Sequence, residues 1–385
     1  MLRDIYLFNP QNDLALATGG INYVAPPFAV QMSTDLALIP AFIAPAGSLV
    51  ITDSDVDQQW LEHLNSILGL DVHAVGRSEL RSLTNYRVMP WGWCLDIRRR
   101  LLKWGASSDS VPSKDEVYHL RGLSHRRLTI LIHLYLRELM GVELSPLPVE
   151  LAVTEEVMEF VARHRECFIK TPWSSSGRGI YHTVAGTTFE LEQWCRGALK
   201  RQGSLLCEVA LDKIMDLGVE FYSEGGNIIL RGLSIFTTDS HCQYSYGTVA
   251  SSEDLRQRIK SLYPQFDDVV KALGGVLERL VAPHYAGWLG VDMLLYKKDD
   301  GTVGIDPCVE MNLRPTMGAV ASALGDTVLK PGAEARFTIE HRSSTGDSWR
   351  SLPEPVIEEH RLMSGALLLT PPHNTSHYRA VLELT

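Results

Sequence analysis

The chain has no run of 18 apolar residues, no Cys-x-x-Cys pair, no internal repeat and no low-complexity tract. The first absence excludes a membrane-spanning helix. The second bears on metal and redox chemistry. The six cysteines (Cys94, Cys167, Cys195, Cys207, Cys242 and Cys308) are scattered, several inside apolar runs such as CFIK and LLCEVAL. That is the pattern of reduced core thiols, not of zinc ligands or a disulfide framework. Positive charge is not in excess: 36 Lys and Arg face 46 Asp and Glu, a net charge of −10. This argues against a general nucleic-acid or anionic-membrane binder, although RGLSHRR at 121–127 is locally basic. The N-terminus, MLRDIYLFNP, lacks the apolar segment and small-residue cleavage site of a signal peptide. Together these absences place the expected protein in the cytoplasm.

What is present is an ordinary globular composition, 45% hydrophobic and 21% charged over 385 residues, enough for two or three domains. Strand-like IYLF (5–8), SLVIT (48–52) and DVHAV (71–75) alternate with turns and an amphipathic stretch at 57–68. This βα alternation predicts a small parallel α/β domain ending near the polar, breaker-rich SSDSVPSKDE at 107–116. A helix is expected from Ser124 as N-cap to Gly141 just past its end, another from Thr154, and a third behind a Thr187/Glu190 capping box. CFIKTP (167–172) and LLCEVAL (205–211) read as strands, followed by long strands from 217 and helices near 252–262 and 266–282. The Pro- and Ser-rich tail from about 342 is expected to pack on the outside.

Chemistry concentrates in GWLGVDMLLYKKDDGTVGIDPCVEMNLRP, 287–315. Glu310, Asn312 and Arg314 alternate at the end of an apolar strand and share one face. Asp292 joins that face only in one register. A two-residue loop at 300–301 sets Asp292 opposite Val309, and one extra residue in the turn sets it opposite Glu310. A three-residue turn or a bulge is therefore expected. Oxygen donors beside a fixed cation suit Mg²⁺ holding a polyphosphate. FIKTPWSSSGRGI, 168–180, supplies a lysine at a strand end and a loop of small residues whose N–H groups can approach an anion. It is not the P-loop arrangement, because Lys170 precedes the glycines. No Ser/His/Asp or Cys/His set stands out. His119, His125 and His133 read as helix-surface or core residues, and Asp306 as a strand-end or supporting group. Asn9, Asn12 and Asp13 follow the first strand, where α/β domains often bind ligands; they read as a plain turn, with facing the acceptor as the alternative. PWGWC (90–94) reads as core or domain interface, and it and Arg231 are weaker acceptor candidates.

Taken in order, Lys170 with its Ser/Gly loop, CEVAL, GVEF, GVD and EMNLRP resemble the ATP-grasp superfamily over roughly residues 120–320. The resemblance implies a fold class of α/β and α+β. An N-terminal parallel α/β domain (1–115) would precede an ATP-grasp fold of two α+β subdomains, central (116–212) and C-terminal (213–385). It implies Lys170 on the α- and β-phosphates and a flap of Ser174, Ser175, Ser176, Gly177 and Gly179 over the triphosphate. Glu208, Val209 and Leu211 would read adenine, and Glu220, with Asp216 as competitor, would bond ribose. Asp292, Glu310 and Asn312 would hold Mg²⁺, or Mn²⁺ in its place, and Arg314 would stabilise phosphoryl charge. Arg126 stands where the family usually has a second lysine, and that exchange is not neutral. The implied activity is an ATP-dependent, ADP-forming ligase joining a small-molecule or peptide carboxylate to an amine, and a homodimer is compatible with it. A phosphotransferase, or a non-catalytic ATP-binding protein, on the same scaffold are the alternatives.

Overall fold

The computed structural model describes residues 2–141, 144–174, 177–184, 186–239, 242–344, 346–371 and 374–385. Strand Arg3–Leu7 buries Ile5, Tyr6 and Leu7, and Ser48–Ile51 buries all its residues. Burial on both faces is what a parallel sheet covered by helices requires. These strands lie in the order Val72–Val75, Ser48–Ile51, Arg3–Leu7, Tyr86–Pro90, all parallel. Strand order reverses at Arg3–Leu7, so a crevice opens at its carboxyl end, between residues 8–13 and 91–94. Asn9 braces that crevice by donating to the Gly92 carbonyl (2.8 Å) and accepting its N–H (3.2 Å). Trp91 goes into the core as expected, edge-on to Phe8.

A second sheet is antiparallel, ordered Val149–Leu151, Leu205–Val209, Cys167–Lys170, Ile180–Thr183. Helices Thr154–Arg163 and Phe189–Gln202 cover it through Val157, Val161, Leu191 and Cys195. The third sheet has eight strands, in the order Val303–Asn312, Gly287–Lys297, Asp212–Glu224, Asn227–Thr238, Tyr244–Val249, Ala335–His341, Tyr378–Leu384, Ala366–Leu368. Its odd-numbered central residues (Val219, Phe221, Leu289, Val291) pack on helices Leu128–Met140 and Phe266–Leu280. Its even-numbered face carries Glu220, Ser234 and Asp292 (see below), and helix Met317–Thr327 crosses one end of it. No described helix is long and apolar enough to cross a membrane, and all six cysteines are free, with only Cys242 less than fully buried.

Three expectations need correction. Ser124 does not open the helix that ends at Gly141. It closes an additional helix, Lys114–Leu123, whose own start is a Ser113/Glu116 capping box, and the next helix begins at Leu128. The cap before Phe189–Gln202 is Thr188, which accepts from Leu191 N at 3.1 Å, one residue beyond the expected Thr187. The tail does not pack outside. Tyr378–Leu384 pairs with Ala335–His341, and Leu367, Leu369, Ala380 and Leu382 are buried, because the alternation in YRAVLEL is that of a sheet strand.

Candidate functional site

The hairpin of Gly287–Lys297 and Val303–Asn312 decides which side chains meet. Its turn does hold three residues, 299–301, closed by Lys298 N to Thr302 O (2.8 Å) and Gly301 N to Lys298 O (2.9 Å). That turn shifts the register the opposite way from the expected one. Lys297 faces Val303 and Leu294 faces Asp306, a register that would carry Asp292 to Cys308. A bulge then intervenes. Three residues, Pro307, Cys308 and Val309, lie opposite the single Met293, and Asp292 arrives opposite Glu310. Proline has no N–H for the ladder, so a strand carrying it must break pairing there. The displaced backbone is satisfied locally, with Cys308 N donating to Asp306 Oδ1 at 3.1 Å. His133, fully buried on helix Leu128–Met140, places Nε2 3.1 Å from Asp306 Oδ1 and 3.2 Å from the Cys308 carbonyl. Asp306 thus supports the bulge, and His133 is a core residue with a defined polar task.

The register brings Asp292, Glu310 and Asn312 together on one face. Asn312 Nδ2 donates to Asp292 Oδ2 at 3.4 Å, and Asn312 Oδ1 accepts from Arg314 Nη2 at 3.0 Å. Burial, then the neighbouring Glu310 and Glu220 carboxylates, push the Asp292 carboxyl well above the usual carboxylate range. Burial also works against Glu310 as an anion, but the adjacent Arg126 guanidinium outweighs it and holds Glu310 below its ordinary range.

Two cations, Arg126 and Lys170, act on Glu310 at this face. Arg126, 5% exposed, donates Nη1 to Thr171 O (2.6 Å) and Ser174 Oγ (2.8 Å), and Nη2 to Glu310 Oε1 (2.7 Å). One planar guanidinium therefore ties the small-residue loop to the hairpin, a geometry the single ammonium of a lysine could not supply. Lys170, at the end of Cys167–Lys170, is 2.5 Å from Glu208 Oε2. Burial raises the Glu208 carboxyl, with Lys170 opposing, and Glu208 Oε1 has no partner. Thr171 N donates to Gly179 O (2.8 Å), which closes the base of the loop. Gly179 admits no side chain, since a Cβ would lie 2.2 Å from Thr171 Oγ1 and 2.4 Å from Ser174 Cβ. Gly177 takes a φ of +74°. Ser175 and Ser176 lie outside the described residues. Arg178 stacks on the Phe28 ring at 3.8 Å and so links the loop to the N-terminal domain.

Val209 ends one sheet and Leu211, half-buried, precedes Asp212–Glu224 of the next, so residues 210–211 join the two sheets. Along Asp212–Glu224, Asp216 lies opposite Leu294, Gly218 opposite Asp292 and Glu220 opposite Gly290. Asp216, held by Lys213 Nζ at 2.7 Å, is therefore on the connection side of Asp292, and Glu220 is beyond it. Glu220 is 1% exposed and accepts from Thr316 Oγ1 at 2.8 Å, while its Oε2 has no hydrogen-bond partner among the described residues. Burial pushes its carboxyl up to about 7, against the hydrogen bond from Thr316 and the charge of Arg314. The approach depends on Gly290, where a Cβ would stand 2.4 Å from Thr316 Cγ2.

Asp13 is the residue that the turn reading passed over. From the crevice of the parallel sheet it takes Arg314 Nη2 (2.8 Å) and Nε (3.1 Å). Asn12, Asp13, Ser124, Ser174, Glu310 and Asn312 line one narrow cleft. The only signal in the sequence was position, a loop at the carboxyl end of the first parallel strand. Arg231 is exposed and reaches the Tyr222 ring instead.

No family model matches the chain, and no curated protein matches it. Solved structures do. Biotin carboxylase from Campylobacter jejuni, solved as a β-γ-ATP complex, superposes with a TM-score of 0.54 at 12% identity over 100% of this chain and 88% of that one. The chain has the ATP-grasp fold. Pyruvate carboxylase from Rhizobium etli superposes with a TM-score of 0.51 at 12% identity, over 99% of this chain and 35% of that one. At such identities the likeness shows the ATP-grasp fold alone, and the chemistry has to come from the side chains. Among the described residues no three His, Cys, Asp or Glu side chains stand close enough to cage a metal ion by themselves. Two carboxylates and an amide fit a different kind of ion. Mg²⁺ is bound through one or two carboxylates and completes its octahedron with water and phosphate oxygens.

Proposed function

We propose that this chain is an ATP-dependent ligase that activates a carboxylate as an acyl-phosphate and couples it to an amine, releasing ADP and phosphate. The observation that carries the reading is the alignment of Asp292, Glu310 and Asn312 on one sheet face, with Arg126 bonded to Glu310 and the Lys170 charge also acting on it. Each cation is now paired with a carboxylate: Arg126 with Glu310, Lys170 with Glu208, Arg314 with Asp13. A triphosphate entering this cleft exchanges those partners for its own oxygens.

In this reading Lys170 and Arg126 take the α- and β-phosphates, and Ser174, Gly177 and Gly179 belong to a flap above them. Val209 and Leu211, at the connection between the sheets, read adenine, with Glu208 placed to orient Lys170. A nucleotide with its base at that connection and its phosphates at Asp292 passes Asp216 on the way, so we assign ribose to Asp216 and not to Glu220. Asp292, Glu310 and Asn312 would hold Mg²⁺, or Mn²⁺, which when bound neutralises charge on the phosphoryl oxygens. Arg314 stabilises the oxygens of the group in transfer. A substrate carboxylate oxygen bonds to the γ-phosphorus as the bond to the β–γ bridging oxygen breaks, and ADP leaves. The amine nitrogen then bonds to the acyl carbon as the carbon–oxygen bond to phosphate breaks, and the amine's proton passes to phosphate or solvent. The protein's contribution is positioning and exclusion of water.

Hydroxylamine tests this. Incubated with MgATP and a panel of candidate carboxylic acids, the chain should convert one class to hydroxamates with ADP release. A stable phosphorylated product without hydroxamate would replace the ligase reading with a phosphotransferase.

A further inference from the structure

Arg314 has five N–H groups, and four are in use. Nε donates to Asp13 (3.1 Å to Oδ2), Nη2 donates to Asp13 (2.8 Å) and to Asn312 Oδ1 (3.0 Å), and Nη1 donates to the Pro315 carbonyl (3.1 Å). One N–H remains for a phosphoryl oxygen. The charge is also engaged, because both Nε and Nη2 converge on one carboxylate oxygen, Asp13 Oδ2, in charge-assisted hydrogen bonds. Burial opposes the Arg314 charge, and Asp13, with Glu310 and Asp292, more than compensates. In this arrangement Arg314 cannot serve the phosphoryl group fully.

Asp13 comes from a part of the chain with its own reason to move its charge elsewhere. It sits in the first turn of helix Asn12–Thr18, beyond the strand Arg3–Leu7, and opens onto the cleft that Ser124, Ser174 and Glu310 also line. The backbone beneath it is braced by the Asn9–Gly92 pair, and a Cβ on Gly92 would stand 2.3 Å from Asn12 Cγ, so the loop itself is fixed. What can change is the partner of the Asp13 carboxylate. A protonated amine arriving in the cleft offers it a second cation.

We propose that Asp13 is a gate on Arg314: it holds the guanidinium until a cationic acceptor amine takes the Asp13 carboxylate, which releases Arg314 to the phosphoryl oxygens. The gate rests on the ATP-dependent reading above. It couples acceptor binding to activation, so that ATP is not hydrolysed while the acceptor place is empty. In the idle reaction that it suppresses, a water oxygen bonds to the γ-phosphorus, the bond to the β–γ bridging oxygen breaks, ADP leaves and the proton goes to solvent.

The test is ADP release by the full chain with MgATP and no added acid or amine. Asp13→Asn should raise this basal rate about tenfold or more, within the range of ordinary coupling energies. The double variant Asp13→Asn/Arg314→Ala should fall back to the wild-type rate or below. MgATP affinity, followed by calorimetry, should be unchanged in Asp13→Asn. A contact that only docked two domains would not raise the rate when broken. An Asp13→Asn rate at or below wild type, with MgATP bound normally, overturns the gate and leaves the ATP-dependent reading standing. A wild-type chain that does not bind MgATP overturns both. Should Asp13→Asn fail to fold, the wild-type chain still decides: ammonium or methylammonium chloride should stimulate basal ADP release over potassium chloride at equal ionic strength, and an equal rate in the three salts overturns the gate.

Discussion

At the scale of single residues, the site is a set of acids kept close together in a dry place, each answered by a cation, a hydroxyl or an amide. Glu220 is answered by the Thr316 hydroxyl. Its carboxyl titrates near 7 instead of the ordinary 4.5, chiefly because it is buried. A pKa raised on folding means that the folded chain binds this proton more tightly than the unfolded chain. The stability it contributes is therefore fully present below pH 4.5 and lost as pH rises through about 7. Glu220→Gln has no such proton. Urea denaturation should show wild type losing about 2–3 kcal/mol relative to Glu220→Gln between about pH 4 and pH 8. A pH-independent difference between the two would contradict the buried, unpaired carboxylate. Glu310, Asn312 and Arg314 were legible as a set because strand alternation puts them on one face. Asp13 was not, because its partner is 301 residues away and a turn rich in Asn and Asp has an adequate local explanation.

At the scale of elements, the hairpin shows how much a single proline decides. The turn at 299–301 alone would carry Asp292 to Cys308, with Glu310 two positions further along the strand. The bulge at Pro307 restores the pairing, and the side chains of Asp306 and His133 hold the bulge. Helix Leu128–Met140 begins just after Arg126, so His133 also fixes the helix that delivers Arg126 to Glu310. His133→Ala should therefore raise the Mg²⁺ concentration needed for half-maximal ATP turnover by about 10- to 100-fold, the range seen when groups that orient metal ligands are removed. His133→Gln, which can still donate to the Cys308 carbonyl, should recover part of it. Unchanged Mg²⁺ dependence in a folded His133→Ala chain would separate the bulge from the site. The Asp292–Glu310 pairing was readable in advance as a requirement of the chemistry. The device that meets it, a bulge, was one of the two expected; its place was not readable, since Pro307 could equally have ended the strand.

At the scale of the molecule, distant elements contribute to one cleft: Asp13 from beyond the first parallel strand, Arg126 from just ahead of helix Leu128–Met140, Lys170 from the end of the strand Cys167–Lys170, and Asp292, Glu310, Asn312 and Arg314 from the large sheet. The α/β start followed from hydrophobic periodicity, and the grouping of the later strands into two subdomains from the family resemblance. The last strands were harder to place. Tyr378–Leu384 and Ala366–Leu368 complete the eight-stranded sheet, but Pro- and Ser-rich spacers hid a pairing that only the distant Ala335–His341 reveals. Order along the chain told which motifs were present, and the fold supplied which of them face each other.

The most direct test of that convergence is ATP turnover, read as ADP release with Mg²⁺, in an Asp292→Ala/Glu310→Ala chain beside wild type. The account predicts turnover by wild type and a loss of about a hundredfold or more in the double variant, because both carboxylates of the proposed metal site are removed and only the Asn312 amide is left. Wild-type turnover in the double variant would contradict it.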